Sequence, residues 1–146
     1  MPCWGPDGMT TEVKITAGPC RFSGRLEEPL APATCNLFRK MMPSYHQIIH
    51  VRWSGEGCWI PLGDLKTGLP YENATNRPAP GQFIFYPGGD SETEILLAYG
   101  LVHFASKVGQ LRGNQFLTIT QGLEQLPELG RLTLWHGAQE IRFEFA

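Results

Sequence analysis

Gly113-Asn-Gln-Phe-Leu-Thr-Ile-Thr120 is apolar and β-branched, and Gly113 and Gly122 punctuate it on either side. Such a stretch reads as a buried strand of about six residues, Gln115–Thr120. Seven similar runs lie on either side of it. Glu12–Ala17 and Cys20–Leu26 are joined by Gly18-Pro19, as in a hairpin. His46–Trp53, Gly57–Leu62, Gln82–Tyr86, Glu94–Tyr99 and Gln139–Phe145 follow, separated by Gly, Pro and Asn. A small domain with this many strands solves its edge problem most simply by closing into a barrel.

Two segments break the pattern. Glu28–Pro43 reads as a helix over Pro32–Met42: Pro32 suits the first turn, and Leu37, Phe38, Met41 and Met42 build an apolar stripe. A second helix is expected between Leu123 and Trp135, short or broken because Pro127 and Gly130 interrupt it. The expected architecture is mainly β: a closed barrel of about eight strands with two helices. At 146 residues the chain suits one domain, 12–146, preceded by a loose Gly- and Pro-rich tail, 1–11, in which Met9 can serve as the natural start.

Composition narrows the function. The formal charge is −2 and the 12 basic residues are scattered, which argues against a nucleic-acid groove. There is no apolar run long enough for a membrane span and no export signal, so the expected compartment is the cytoplasm. Cys3, Cys20, Cys35 and Cys58 are far apart and form no metal-binding motif. All four are expected as reduced thiols, and no metal or cofactor is expected.

Polar chemistry concentrates in three places. In His50-Val-Arg-Trp-Ser-Gly-Glu56, His50 and Arg52 would share a strand face, and Arg52 has the fork geometry to clamp a carboxylate or amide oxygen. An ion pair of Arg52 with Glu56 or Asp64 is the structural alternative. Glu56 lies between two glycines and is a candidate base. Trp53, Ser54 and Trp59 complete the stretch, with one indole expected on a pocket wall. The second place is the loop after Tyr86, Pro87-Gly-Gly-Asp-Ser-Glu-Thr-Glu94, which gathers Asp90, Glu92 and Glu94 and suits acid–base work better than a metal. A solvated turn capped by Ser91 is the plainer reading. The third is Lys107, flanked by Ala105 and Val108; a partly buried stem there calls for a carboxylate partner.

Several motifs resemble a known family. Leu26-Glu-Glu-Pro-Leu-Ala-Pro-Ala-Thr-Cys-Asn-Leu-Phe38 resembles the cyclophilin pattern of a strand leading into Pro-x-Thr-x-x-Asn-Phe, and Gly113–Thr120 resembles the cyclophilin strand Gly-Ser-Gln-Phe-Phe-Ile. More closely, Ile15–Glu144 is similar to a bacterial family of unknown function assigned a cyclophilin-like barrel. The matches are His50-x-Arg-Trp-Ser-Gly-Glu56, Tyr86–Glu94 and Ser106–Asn114. The resemblance implies a cyclophilin-like barrel. It also raises peptidyl-prolyl isomerase activity, with Arg52, Gln115 and Phe116 as the matching residues and Asn114 beside them. The Phe-x-Met-x-Gln run of cyclophilins is replaced here by Ser54–Trp59, and Leu117 replaces an aromatic.

The leading expectation is therefore a domain that binds or acts on a small polar molecule, amide- or carboxylate-bearing, at the barrel rim. Arg52, Glu56, Glu92 and Lys107 would carry any chemistry: a carboxylate as base, the two cations steadying negative charge. His50, Trp53, Ser54, Trp59, Tyr86, Glu94, Asn114 and Gln115 would line the pocket. The alternatives are a prolyl isomerase and a non-catalytic subunit of a homo-oligomer. Self-association is expected in either case.

Overall fold

The computed structural model describes residues 10–146. The expected tail falls largely on residues 1–9 and, with Cys3, lies outside the described residues. The main strands are β1 (Glu12–Ala17), β2 (Cys20–Leu26), β3 (Ser44–His50), β4 (Gly55–Pro61), β6 (Gln82–Tyr86), β7 (Glu94–Val102), β10 (Gly113–Gln121) and β11 (Gln139–Phe145). Three two-residue strands are added: β5 (Ala74–Thr75), β8 (Ala105–Ser106) and β9 (Gly109–Gln110). The helices are α1 (Pro32–Met41) and α2 (Leu126–His136), the latter preceded by a 3₁₀ turn at Leu123–Gln125.

The sheet order is β2-β1-β11-β3-β4-β7-β6-β10, and β10 pairs back onto β2 through Leu117–Leu26, Thr118–Arg25 and Ile119–Gly24. The eight main strands thus form a closed antiparallel barrel with two helices. Side chains alternate across its wall. Val13, Ile15 and Ala17 of β1, Phe83 and Phe85 of β6, and Ile95 and Leu97 of β7 point inward. Phe38 of α1 enters the same core, 5.0 Å between ring centroids from both Phe116 and Phe143. Leu126 and Leu129 join it from α2.

The outward positions of β6 and β7 are also buried. Ile84, Tyr86, Leu96 and Ala98 form a second apolar cluster with Val102, Phe104 and Leu111. Its cover is the excursion between β7 and β10, which carries the β8–β9 hairpin. The barrel wall is therefore dry on both sides here, and the runs Gln82–Tyr86 and Glu94–Tyr99 are nearly continuously apolar for that reason.

Buried polar groups fasten the connections. The Glu28 carboxylate, 1 % exposed, accepts from Thr11 N at 3.0 Å and Thr11 Oγ1 at 2.7 Å and pairs with Arg39. It ties the start of β1 to α1.

Two expectations need correction. The strand read as His46–Trp53 stops at His50: Val51 N bonds Gly57 O at 3.1 Å, and Gly55 takes φ +101° against the Leu101 carbonyl. Residues 51–54 form a bend, so Arg52 does not share a strand face with His50. Gly130 does not break the second helix either. The Tyr99 ring lies against it, in space that a Cβ would occupy.

That contact yields a prediction with a sign. An exposed helical Gly→Ala change stabilises by about 1 kcal/mol. Gly130→Ala should instead destabilise the fold by about 1–3 kcal/mol through overpacking. Urea denaturation measures this, and a stabilised variant would contradict the packing described.

Candidate active site

The bend 51–54 is held to the excursion by one buried side chain. Ser54 Oγ donates to Ala105 O and accepts from Ala105 N, each at 3.0 Å, while His103 N donates to Ser54 O at 2.9 Å. Opposite it stands the loop 87–93. Gly88 and Gly89 take φ +96° and +126°, and a Cβ on Gly88 would collide with Thr93 Oγ1. The Tyr86 hydroxyl closes the loop, accepting from Asp90 N at 3.1 Å and Ser91 N at 3.3 Å. The loop is thus closed by a buried phenol from the strand before it, and not by the side chain of Ser91.

Between the bend, the loop and the β8–β9 hairpin lies a cleft of about 290 Å³, lined by Val51, Arg52, Trp53, Ser54, Trp59, Ser91, Glu92, Glu94, Ala105, Ser106 and Lys107. Trp59 and Glu94 reach it from the outward faces of β4 and β7. The cleft therefore opens on the outer wall of the barrel, where the sequence suggested the rim.

Glu94 is the buried carboxyl group of this cleft. It is 6 % exposed, and its carboxyl group has no hydrogen-bond partner among the described residues. Removal from water disfavours the charged form, and Glu92 adds repulsion, so the carboxyl group is pushed up to about 8. The upward shift favours the protonated form, in which Glu94 can donate a proton. Arg52 and Lys107 face the same cleft. The ion pairs among the described residues are Arg25–Glu27, Arg39–Glu28 and Arg131–Glu128, so neither Arg52 nor Lys107 has an acidic partner. Lys107 sits exposed at the turn of the β8–β9 hairpin, not with its stem buried as the flanking apolar residues suggested.

The other candidate residues lie elsewhere. Glu56 is exposed and accepts from Leu101 N at 2.8 Å, filling the space beside Gly100 where β7 bulges against β4. That carboxylate satisfies a strand irregularity and does not line the cleft. His50 Nδ1 bonds Val51 O at 2.8 Å, which leaves Nε2 to accept the Tyr99 hydroxyl at 2.7 Å. Asn114 accepts from Glu72 N at 3.0 Å and donates to Thr34 Oγ1 and Pro70 O, fastening the long loop after β4 to α1. Gln115 donates to Leu117 O and Thr118 Oγ1, and Phe116 is fully buried in the core. Tyr86 lines a separate cleft, considered below. Among the described residues, no group of three or more His, Cys, Asp or Glu could hold a metal ion.

Comparison with known proteins agrees with the architecture. Residues 13–145 match the family described as Protein of unknown function (DUF3830). The chain belongs to this family. Solved structures that share the fold include McbB in complex with tryptophan, at TM-score 0.69 and 16 % identity, and the hypothetical protein AF2241 from Archaeoglobus fulgidus, at TM-score 0.59 and 16 % identity. The match covers 91 % of this chain but 44 % of McbB, and 97 % of this chain with 99 % of the archaeal protein. No curated protein matches the sequence. Among the described residues, no helix is long and apolar enough to cross a membrane.

The state of Glu94 is testable through stability. Its folded pKa lies above the ordinary 4.5, so between these values the folded protein holds a proton that the unfolded chain has released. Stability should fall as pH rises through this window, by about 1.4 kcal/mol per unit of separation, and level off above it. Glu94→Gln should flatten the fall, matching the wild type near pH 5 and exceeding it near pH 9 in urea denaturation. Parallel profiles would overturn the assignment.

Proposed function

We propose that this protein binds a small molecule bearing a carboxylate or amide in the Arg52–Lys107 cleft, and that Glu94 acts there as a proton donor. The observation carrying this reading is a carboxyl group buried without a partner in a cleft that also holds two unpaired cations. A purely structural barrel has no use for that arrangement, because buried acids are otherwise paired. Arg52 and Lys107 would hold the ligand's negative oxygen atoms, with the planar guanidinium giving the bidentate contact. Trp53 and Trp59 would form an apolar wall. Glu94, protonated near neutrality, would then pass its proton to a ligand atom that gains negative charge, with Glu92 or water as the return path. McbB, of similar fold, is described in complex with tryptophan, which carries a carboxylate; the ligand proposed here is of that general class.

The cyclophilin resemblance supports assigning the barrel to the cyclophilin-like group, as part of the same proposal. Isomerase activity has weaker support: Gln115 and Phe116 are locked in structural roles away from Arg52. The cytoplasm is the proposed compartment, in keeping with Cys20, Cys35 and Cys58 as free thiols. Self-association is proposed through the exposed Trp53 on the cleft wall and Leu101 against Gly55, 58 % and 85 % exposed.

Two measurements test this reading. A panel of small carboxylates and amides, followed by amide chemical shifts, should give binders that perturb Ser91–Glu94 and Ser106–Lys107. Arg52→Ala and Lys107→Ala should each weaken such a binder tenfold or more, about 1.4 kcal/mol, with almost no change in thermal stability. A loss of about 3–5 kcal/mol of stability in Arg52→Ala would point instead to a buried structural pair. In a prolyl-peptide assay the protein should be inactive, and a rate near that of a true cyclophilin would overturn the assignment of Gln115 and Phe116.

A further inference from the structure

The loop 87–93 has a second side. Across it from the Glu94 cleft lies a larger one of about 550 Å³, lined by Tyr71, Asn76, Tyr86, Asp90, Gln110, Leu111 and Arg112. Three features suggest a ligand. The Arg112 guanidinium stacks 4.2 Å above the Tyr71 ring centroid and takes part in no ion pair among the described residues. Stacking uses the flat face of the guanidinium and leaves its N–H edge free to donate.

The second feature is Tyr86, only 2 % exposed. Its oxygen accepts from Asp90 N and Ser91 N, but its own O–H meets no acceptor among the described residues. Burial pushes the phenol up, so it remains a donor at any physiological pH. A buried donor without an acceptor is costly unless something enters to accept it. The third is Asn76: its backbone carbonyl is used by Phe104 N at 2.7 Å, while its side-chain amide has no partner among the described residues.

We propose that this cleft is a second binding site, for a small molecule whose carboxylate is held by the Arg112 edge and the Tyr86 hydroxyl. The Asn76 amide supplies a further donor, and Tyr71 and Leu111 offer apolar surface to the rest of the ligand. Gln110 is already engaged with His103 Nε2 at 2.9 Å and so helps fix the wall. Asp90 stands on the same cleft and selects against dianions. The site needs neither Arg52 nor Glu94, so it stands or falls apart from the function proposed above.

Benzoate is a suitable probe, with one carboxylate and one flat apolar ring. Titration into isotope-labelled protein should shift the Asn76 side-chain amide and the Arg112 Nε–H resonance, which line this cleft and not the Glu94 cleft, with saturation. Arg112→Ala should weaken binding tenfold or more. Arg112→Lys, which keeps the charge but loses the fork, should recover only part of it, and Arg52→Ala should leave it unchanged. Arg112 is exposed, so these variants should fold, as an unchanged amide spectrum outside the cleft would verify. Three results would overturn the proposal: no saturable Asn76 side-chain shift at tens of millimolar benzoate, an Asn76 shift that survives Arg112→Ala, or an Asn76 shift abolished by Arg52→Ala.

Discussion

Everything in this molecule depends on the pairing of β10 with β2. Those bonds turn an eight-stranded sheet into a tube, remove both exposed edges and give each strand one inward and one outward face. The inward face is filled by one aromatic-rich core with Phe38 of α1 inserted into it. Closure leaves the outward face as the place where polar function can be built. Around most of the barrel that face meets water. On β6 and β7 it is apolar and covered by the 103–112 excursion, and both clefts form where this cover meets the loop 87–93.

The same cover accounts for the chemistry of Glu94. A carboxyl group at the first position of β7, pointing outward, would be solvated on a bare barrel. Here the bend 51–54 and the hairpin overhang it. Ser54 holds the two together through paired bonds to one residue, Ala105. The carboxyl group loses water and gains no protein donor in exchange, and its affinity for a proton rises accordingly.

The strands were legible because their pattern is short, apolar and punctuated: β1, β2, β6 and β11 have the bounds read from the sequence. Closure itself could only be inferred, since it depends on which strands meet. Arg52, Glu92, Glu94 and Lys107 were singled out by residue type, and the fold brings them to one cleft. Glu56 was misread because flanking glycines mark a strand irregularity as readily as a ligand site. Gly130 was misread because nothing local reveals that a distant Tyr99 lies on it. The burial of Glu94 and the exposure of Glu56 were also hidden: desolvation is a property of the assembled cover. Arg112 and Tyr71, 41 residues apart, became visible as a pair only once the chain had folded.

The division between barrel and cover has an evolutionary side. Loop 87–93 and excursion 103–112 contribute nothing to the β2–β10 seam. Under the two proposed binding sites, substitutions at Glu92, Lys107 or Arg112 would change ligand acceptance without disturbing the hydrogen bonds that close the tube. Related chains are then free to diverge in specificity while sharing one scaffold, and similarity of barrel alone is a poor guide to what each of them handles.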